Sequence, residues 1–273
     1  MAVTEAVATN TGRIDFDNFP NVSLCHRPTP IEPMPRLSAS LGGPTLFVKR
    51  DDCTGLATGG NKTRKLEFLV GEALRENADM LVTQGAVQSN HVRQTAAAAC
   101  RMGMKCHVLL ERRVPDRDAA YERTGNVLLD SLFGATHEFR PAGLDMNAEA
   151  EVAAERLRAD GNRPYFIPGG GSNAIGALGY ANCAQEIADQ CKEMGDSFDW
   201  LVMGTGSTGT QAGLVAGFHA IGFDLPVMGV SVRQPREKQM AAVHGLTQKT
   251  LDKLNAPSIS LSKILVDDGY VGD

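Results

Sequence analysis

The sequence is short of basic charge. Its 27 lysines and arginines are outnumbered by 32 aspartates and glutamates, giving a formal net charge of −5 with histidines neutral. That balance argues against nucleic acid as the main partner. None of the six cysteines (Cys25, Cys53, Cys100, Cys106, Cys183 and Cys191) forms a C-x-x-C pair or sits at metal-ligand spacing from a histidine, so no metal site is expected. No apolar run approaches the roughly 18 residues that a membrane span needs. Residues 1–21 mix Thr, Glu, Asp and Asn and lack a basic and apolar leader. A cytoplasmic protein with reduced thiols and no membrane contact is therefore expected. What the chain does have is ordinary globular composition, 42% hydrophobic and 22% charged, over 273 residues. That length suits one or two domains.

Pro20, Pro28, Pro30, Pro33 and Pro35 crowd the approach to the first regular segment and argue against helix there. An N-terminal arm lying over the domain is expected. Beyond Thr45, short apolar runs alternate with longer amphipathic stretches. Strands are expected over 46–48, 80–82, 106–110, 165–167, 200–203 and 227–230. Helices are expected over 62–76, 88–101, 126–133, 148–158, 173–194 and 210–221. Alternation of this kind implies parallel sheets with helices on both faces, and strands this apolar read as buried. In such sheets ligands bind beyond the carboxyl ends of the strands, so the loops there are the places to look for chemistry.

Four loops answer that description. In Thr58-Gly59-Gly60-Asn61-Lys62-Thr63-Arg64-Lys65, two glycines precede a lysine at a helix start. A helix N-terminus disfavours an ammonium and lowers the lysine pKa, and a neutral amine is what Schiff-base chemistry requires. The plain alternative is a solvated lysine beside Arg64 and Lys65. The spacing is not that of a Walker motif. In Gln84-Gly85-Ala86-Val87-Gln88-Ser89-Asn90-His91, Ser89, Asn90 and His91 stand at a helix start, as a carboxylate cradle or as simple capping. The third loop, Gly204-Thr205-Gly206-Ser207-Thr208-Gly209-Thr210, combines three glycines and four hydroxyls at a helix N-terminus and reads as a phosphate nest. It also satisfies G-x-G-x-x-G, and Arg233 after the next strand keeps an NADP-like reading open. The fourth, Pro168-Gly169-Gly170-Gly171-Ser172-Asn173, is either a further binding loop or a flexible turn with an N-cap. Nest, lysine and amide–hydroxyl loop together fit a phosphorylated aldehyde cofactor held covalently, pyridoxal 5'-phosphate.

These residues resemble the tryptophan-synthase-β-like family of fold-type II pyridoxal-phosphate enzymes. More narrowly, Gly59-Gly60-Asn61-Lys62-Thr63-Arg64-Lys65-Leu66-Glu67 and Gln88-Ser89-Asn90-His91 are similar to the branch of 1-aminocyclopropane-1-carboxylate deaminase and D-cysteine desulfhydrase. Within it, the segments 50–57 and 167–173 look closest to the members that release sulfite from L-cysteate. The resemblance implies an α/β fold of two three-layer αβα domains with mostly parallel sheets. Residues 1–30 would form the arm. Residues 31–60 and 165–273 would form a larger cofactor-binding domain, incomplete at its C-terminus, and 61–164 a smaller domain with the Lys62 and Ser89 loops.

By the same resemblance Lys62 is the Schiff-base lysine and Cα proton base, Asn90 bonds the cofactor ring hydroxyl, and Thr205, Gly206, Ser207, Thr208, Gly209 and Thr210 hold the phosphate. Ser89, Asn90 and His91 line the substrate carboxylate site, with Ser89 as acid–base partner. The deaminases of the branch carry glutamine where His91 stands. Thr54 and the glycine loop, Gly170 and Ser172 in particular, are candidates for a sulfonate. The implied reaction is α,β-elimination on a small amino acid by a carbon–sulfur lyase acting as a homodimer: L-cysteate to pyruvate, sulfite and ammonia. The alternatives are D-cysteine desulfhydration and cyclopropane deamination. Chains of the branch continue several tens of residues past the point matching Asp273, into a tyrosine-bearing loop. A cofactor-binding relic without catalysis is therefore the alternative of another class.

Overall fold

The computed structural model describes residues 12–271. The expectation for the arm's first 11 residues lies outside them. A small antiparallel pair, β1 (Ile31–Pro33) and β2 (Phe47–Lys49), flanks α1 (Pro35–Leu41). The proline-rich approach thus holds a short strand and also a helix, which the proline density had argued against. Pro35 sits at the first helical position, where a missing N–H breaks no intrahelical bond.

Next come α2 (Lys62–Arg75), β3 (Met80–Ala86), α3 (Asn90–Arg101), β4 (Lys105–Arg112), α4 (Gly125–Leu132), β5 (Thr136–Pro141), α5 (Met146–Ala159) and β6 (Pro164–Ile167). Their strands form one parallel sheet in the order β5-β4-β3-β6. Val82 of the central β3 is level with His107 on one side and Phe166 on the other. The stretch 165–167, expected to go with the residues after it, is therefore hydrogen-bonded into the same sheet as β3, β4 and β5. Ala96, Ala97, Ala98 and Ala99 of α3 are buried in its core with Leu81, Val108 and Leu110. Small side chains there let the helix lie close to the strands.

A long helix, α6 (Ala174–Met194), leads to β7 (Leu201–Thr205), α7 (Gly209–Ile221), β8 (Val227–Ser231), α8 (Arg236–Lys253) and β9 (Leu265–Asp267). These strands form a second parallel sheet in the order β7-β8-β9. Its core gathers α6, α7 and α8 through Leu178, Ile187, Leu214, Phe218, Val243 and Leu251. The strand β7 is not buried on both faces as its composition suggested, because Val202 is 64% exposed. Ahead of α1, Phe16 meets Phe68 of α2 edge-on at 6.0 Å. Glu67 accepts the backbone N–H groups of Leu24 and Cys25, each at 2.9 Å. The arm thus lies across α2. Among the described residues no helix is long and apolar enough to cross a membrane.

Candidate active site

Lys62 is the first residue of α2, and the turn before it is gripped from two sides. From below, the Gly60 N–H donates to Thr54 Oγ1 at 2.9 Å. The same hydroxyl lies 2.9 Å from the Gly60 carbonyl and 3.1 Å from Thr63 Oγ1. From α3, Gln94 Oε1 accepts the Thr63 N–H at 2.9 Å, supplying the cap that Asn61, without a side-chain cap bond, does not. The Thr54 side chain is fully buried and its hydroxyl is committed to this turn. Its place is beneath the turn that presents Lys62.

The Lys62 amine is largely buried, and loss of hydration pulls its pKa down from 10.5 to about 8. The sequence pointed to the same shift from the helix terminus, but burial is its cause. Lys62 Nζ donates to Asn61 Oδ1 at 3.1 Å, and Asn90 Nδ2 approaches the same oxygen at 3.4 Å. The first and second loops therefore meet at one amide oxygen.

Ser89 caps α3, its Oγ accepting the Val92 N–H at 3.3 Å and so keeping its own proton free to donate. Asn90 is exposed and Ser89 half-buried. His91 departs from them: its ring is only 3% exposed, with Nε2 2.9 Å from Thr83 Oγ1. Thr83 gives its proton to the Ile167 carbonyl at 2.8 Å, so Nε2 carries the ring hydrogen and Nδ1 is left bare and unpartnered. Burial, reinforced by the charges of Lys62 and Lys65, holds the His91 pKa well below its ordinary value and keeps the ring neutral. The ring thus turns into the interior, away from the exposure that its neighbours share.

The loop read as a nest forms the entry to α7. Thr208 takes a left-handed φ of 66°, and the Gly209 N–H points to Ser207 O at 2.8 Å and Ser172 Oγ at 3.2 Å. Thr205 is a correction. It is buried, and its Oγ1 accepts Gln239 Nε2 of α8 at 2.9 Å, so this hydroxyl anchors the loop from behind. Ser172 and Gly170 lie against the lysine loop and the start of α7. The Ser172 hydroxyl is engaged with Gly209 and lies 3.4 Å from Lys65 Nζ, while the Gly170 carbonyl accepts from Lys65 Nζ at 3.0 Å. Both residues build the wall between nest and lysine loop. A Cβ on Gly209 would stand 2.8 Å from Ser172 Oγ and 2.9 Å from Lys65 Nζ.

Several residues of the site were not read from sequence. Lys65 is wholly buried, and desolvation, with the charge of Lys62, drives its pKa well down. Its i,i+3 spacing from Lys62 on one helical face was the available signal. Arg64 is 1% exposed and pairs with Asp51 Oδ1 and Glu186 Oε1, each at 2.9 Å. Neither of these neighbours of Lys62 is solvated. The Tyr180 hydroxyl lies 2.7 Å from Asp51 Oδ2 and 3.2 Å from the Asn61 carbonyl, tying this buried charge cluster to the lysine turn. No local pattern announces that group, since its members come from β2's exit, α2 and α6.

Residues 22–269 match the sequence model described as pyridoxal-phosphate dependent enzyme. The D-cysteine desulfhydrase of Klebsiella pneumoniae is 45% identical over 256 residues, spanning 94% of this chain and 77% of the relative. That of Salmonella paratyphi B is 46% identical over 236 residues, spanning 86% and 71%. Among solved structures, an ACC deaminase homologue superposes with a TM-score of 0.80 at 36% identity, covering 89% of this chain and 72% of its own. A fungal L-serine ammonia-lyase from Rhizomucor miehei, with a TM-score of 0.61 at 18% identity over 81% of this chain and 65% of its own, shares the fold.

Proposed function

The chain belongs to the pyridoxal-phosphate dependent enzyme family, and on that premise we propose that it is a lyase removing hydrogen sulfide from D-cysteine, with pyruvate and ammonia as the other products. The observation that carries this reading is the setting of the Lys62 amine. It is half-buried, shifted toward neutrality at about 8, and held by the Asn61 amide that Asn90 also approaches, with Gly170 packed close to its Cε. The family narrows the cofactor, which sets aside the dinucleotide reading of the glycine loop. The relatives named D-cysteine desulfhydrase support a thiol-bearing substrate. So does the commitment of the Thr54 hydroxyl, which donates to the Gly60 carbonyl, since a sulfonate needs several donors held free for its three oxygens.

The residues present fit the cofactor. The side-chain-free positions Gly170 and Gly209 leave room at the nest where any Cβ would collide. The first turn of α7 offers N–H groups to a phosphate, and Lys65 stands directly behind it. When bound, pyridoxal phosphate supplies an aldehyde for an amine and a ring that accepts the electron pair left at Cα. Lys62 would hold the cofactor through Nζ, and that amine, when neutral, would be the group to receive the Cα proton. Ser89 has a hydroxyl proton to donate at the cap of α3. Asn90 and the exposed start of α3 orient the substrate carboxylate, and the leaving sulfur departs as hydrosulfide. Water then completes the products.

The test is a parallel assay of the cofactor-loaded chain with D-cysteine and L-cysteate. Sulfide and pyruvate released together from D-cysteine are the expected result. Sulfite from L-cysteate without sulfide from D-cysteine would transfer the assignment to a sulfo-lyase, and silence with both would remove the elimination reading.

A further inference from the structure

The turn that presents Lys62 is conformationally costly. Ala57 and Thr58 adopt left-handed φ values of 46° and 68°, and Gly59 and Gly60 follow at 77° and 131°. Two consecutive non-glycine residues in that region persist only where their surroundings hold them. The holder is Arg93. Its Nη1 donates to Thr58 Oγ1 and its Nη2 to the Gly59 carbonyl, each at 2.7 Å. The planar fork of a guanidinium suits two such acceptors at once, which an ammonium cannot match. Arg93 lies four residues after Ser89, about one helical turn along α3. One rigid helix therefore carries Ser89 at its cap and the clamp on the Lys62 turn one turn later. The third guanidinium nitrogen, Nε, is buried without a partner, and so are both carboxylate oxygens of the fully buried Asp130 on α4, whose charge acts on Arg93.

From this geometry we infer that Arg93 is a positioning residue: by clamping the strained turn to α3 it fixes where the Lys62 amine stands relative to Ser89, with Asp130 as its buried charge counterpart. The inference rests on the reading of Lys62 as the reacting amine. It concerns the alignment of two loops, so its loss should slow turnover more than it weakens substrate binding.

The test uses the full chain loaded with pyridoxal phosphate, in Arg93→Gln, Arg93→Lys and Thr58→Ala forms. Thr58 is exposed, so its variant keeps the test alive if replacement of Arg93 prevents folding. Steady-state rates with D-cysteine, cofactor affinity and the pH midpoint of the yellow lysine-bound cofactor absorbance are measured together. Arg93→Gln should lower kcat by about 10- to 100-fold with KM little changed, and should move the absorbance midpoint. Arg93→Lys and Thr58→Ala should fall between it and the parent. Parental kcat and absorbance midpoint in Thr58→Ala and in whichever Arg93 variants fold would overturn the proposal. A Lys62→Ala control separates the two readings. If it keeps the yellow absorbance, the role of Lys62 itself falls. If it loses the absorbance while the other variants behave as parent, only the positioning role falls.

Discussion

Gly170 is wedged against Ser207: a Cβ on Gly170 would stand 2.4 Å from the serine hydroxyl oxygen and 3.6 Å from Lys62 Cε. Its φ of 67° adds a second demand for glycine, worth about 1–2 kcal/mol against an L side chain. Gly170→Ala should therefore push the nest away from the lysine while leaving both sheets intact. Cofactor affinity should fall about tenfold, matching about 1.4 kcal/mol. Titration of the cofactor-free protein with pyridoxal phosphate reads this directly, and unchanged affinity with unchanged circular dichroism would count against the arrangement.

The Lys62 amine reacts with an aldehyde only when deprotonated. Because burial lowers its pKa to about 8, the rate of cofactor capture should climb as pH rises through 8 and level off above 9. Asn61 Oδ1 is its hydrogen-bond partner at 3.1 Å, so Asn61→Asp would place a negative charge there. An opposite charge at that range favours the ammonium and should raise the midpoint by about one unit or more. Stopped-flow capture rates across pH 6–10 test it. An Asn61→Asp midpoint identical to the parent would show that the amine and the amide do not meet in solution.

The fold was legible where periodicity was strong, and the site where glycine and lysine marked a helix start. Ser89 and the Ser207 loop stand at strand-to-helix exits because parallel sheets place them there, whereas Lys62 opens a helix after the antiparallel β2. Other elements were hidden for physical reasons. β5 reads Thr-His-Glu-Phe-Arg-Pro and carries no apolar run, and α8 buries polar Gln239, Thr247 and Thr250. Side-chain direction was the other blind spot. Thr205, Thr54 and His91 are hydroxyl or imidazole bearers in the right loops, yet each turns to a partner far along the chain or beneath the loop: Gln239, Gly60 and Thr83. Sequence shows which polar groups reach a site, but packing decides which of them face it.

Thr54 illustrates the consequence. Thr54→Val keeps the shape of the side chain and deletes the acceptor of the Gly60 N–H. An unpaired donor there should cost about 1–3 kcal/mol. At about 2–4 °C per kcal/mol for a chain of this size, the melting temperature should drop by several degrees. The ratio of activities on D-cysteine and L-cysteate should stay as in the parent. A change in that ratio without loss of stability would return Thr54 to the substrate site.

Asp130 should leave a signature in stability. Burial raises its pKa from 3.8 to about 7, an effect that the charge of Arg93 only partly offsets. Between about pH 4 and pH 7 the folded protein therefore holds a proton that the unfolded chain, with an aspartate pKa near 3.9, has released. The folded state binds more protons across that window, so stability declines as pH rises through it and is level above pH 7. At about 1.36 kcal/mol per unit, the two units from pH 5 to pH 7 correspond to about 3 kcal/mol. Asp130→Asn cannot titrate and lacks this decline. Urea unfolding at pH 5 and pH 8 should show the variant gaining on the parent by up to about 3 kcal/mol at the higher pH. Equal pH dependence in both proteins would mean that the Asp130 carboxyl is ionised and stabilised throughout, by water or by a rearranged Arg93.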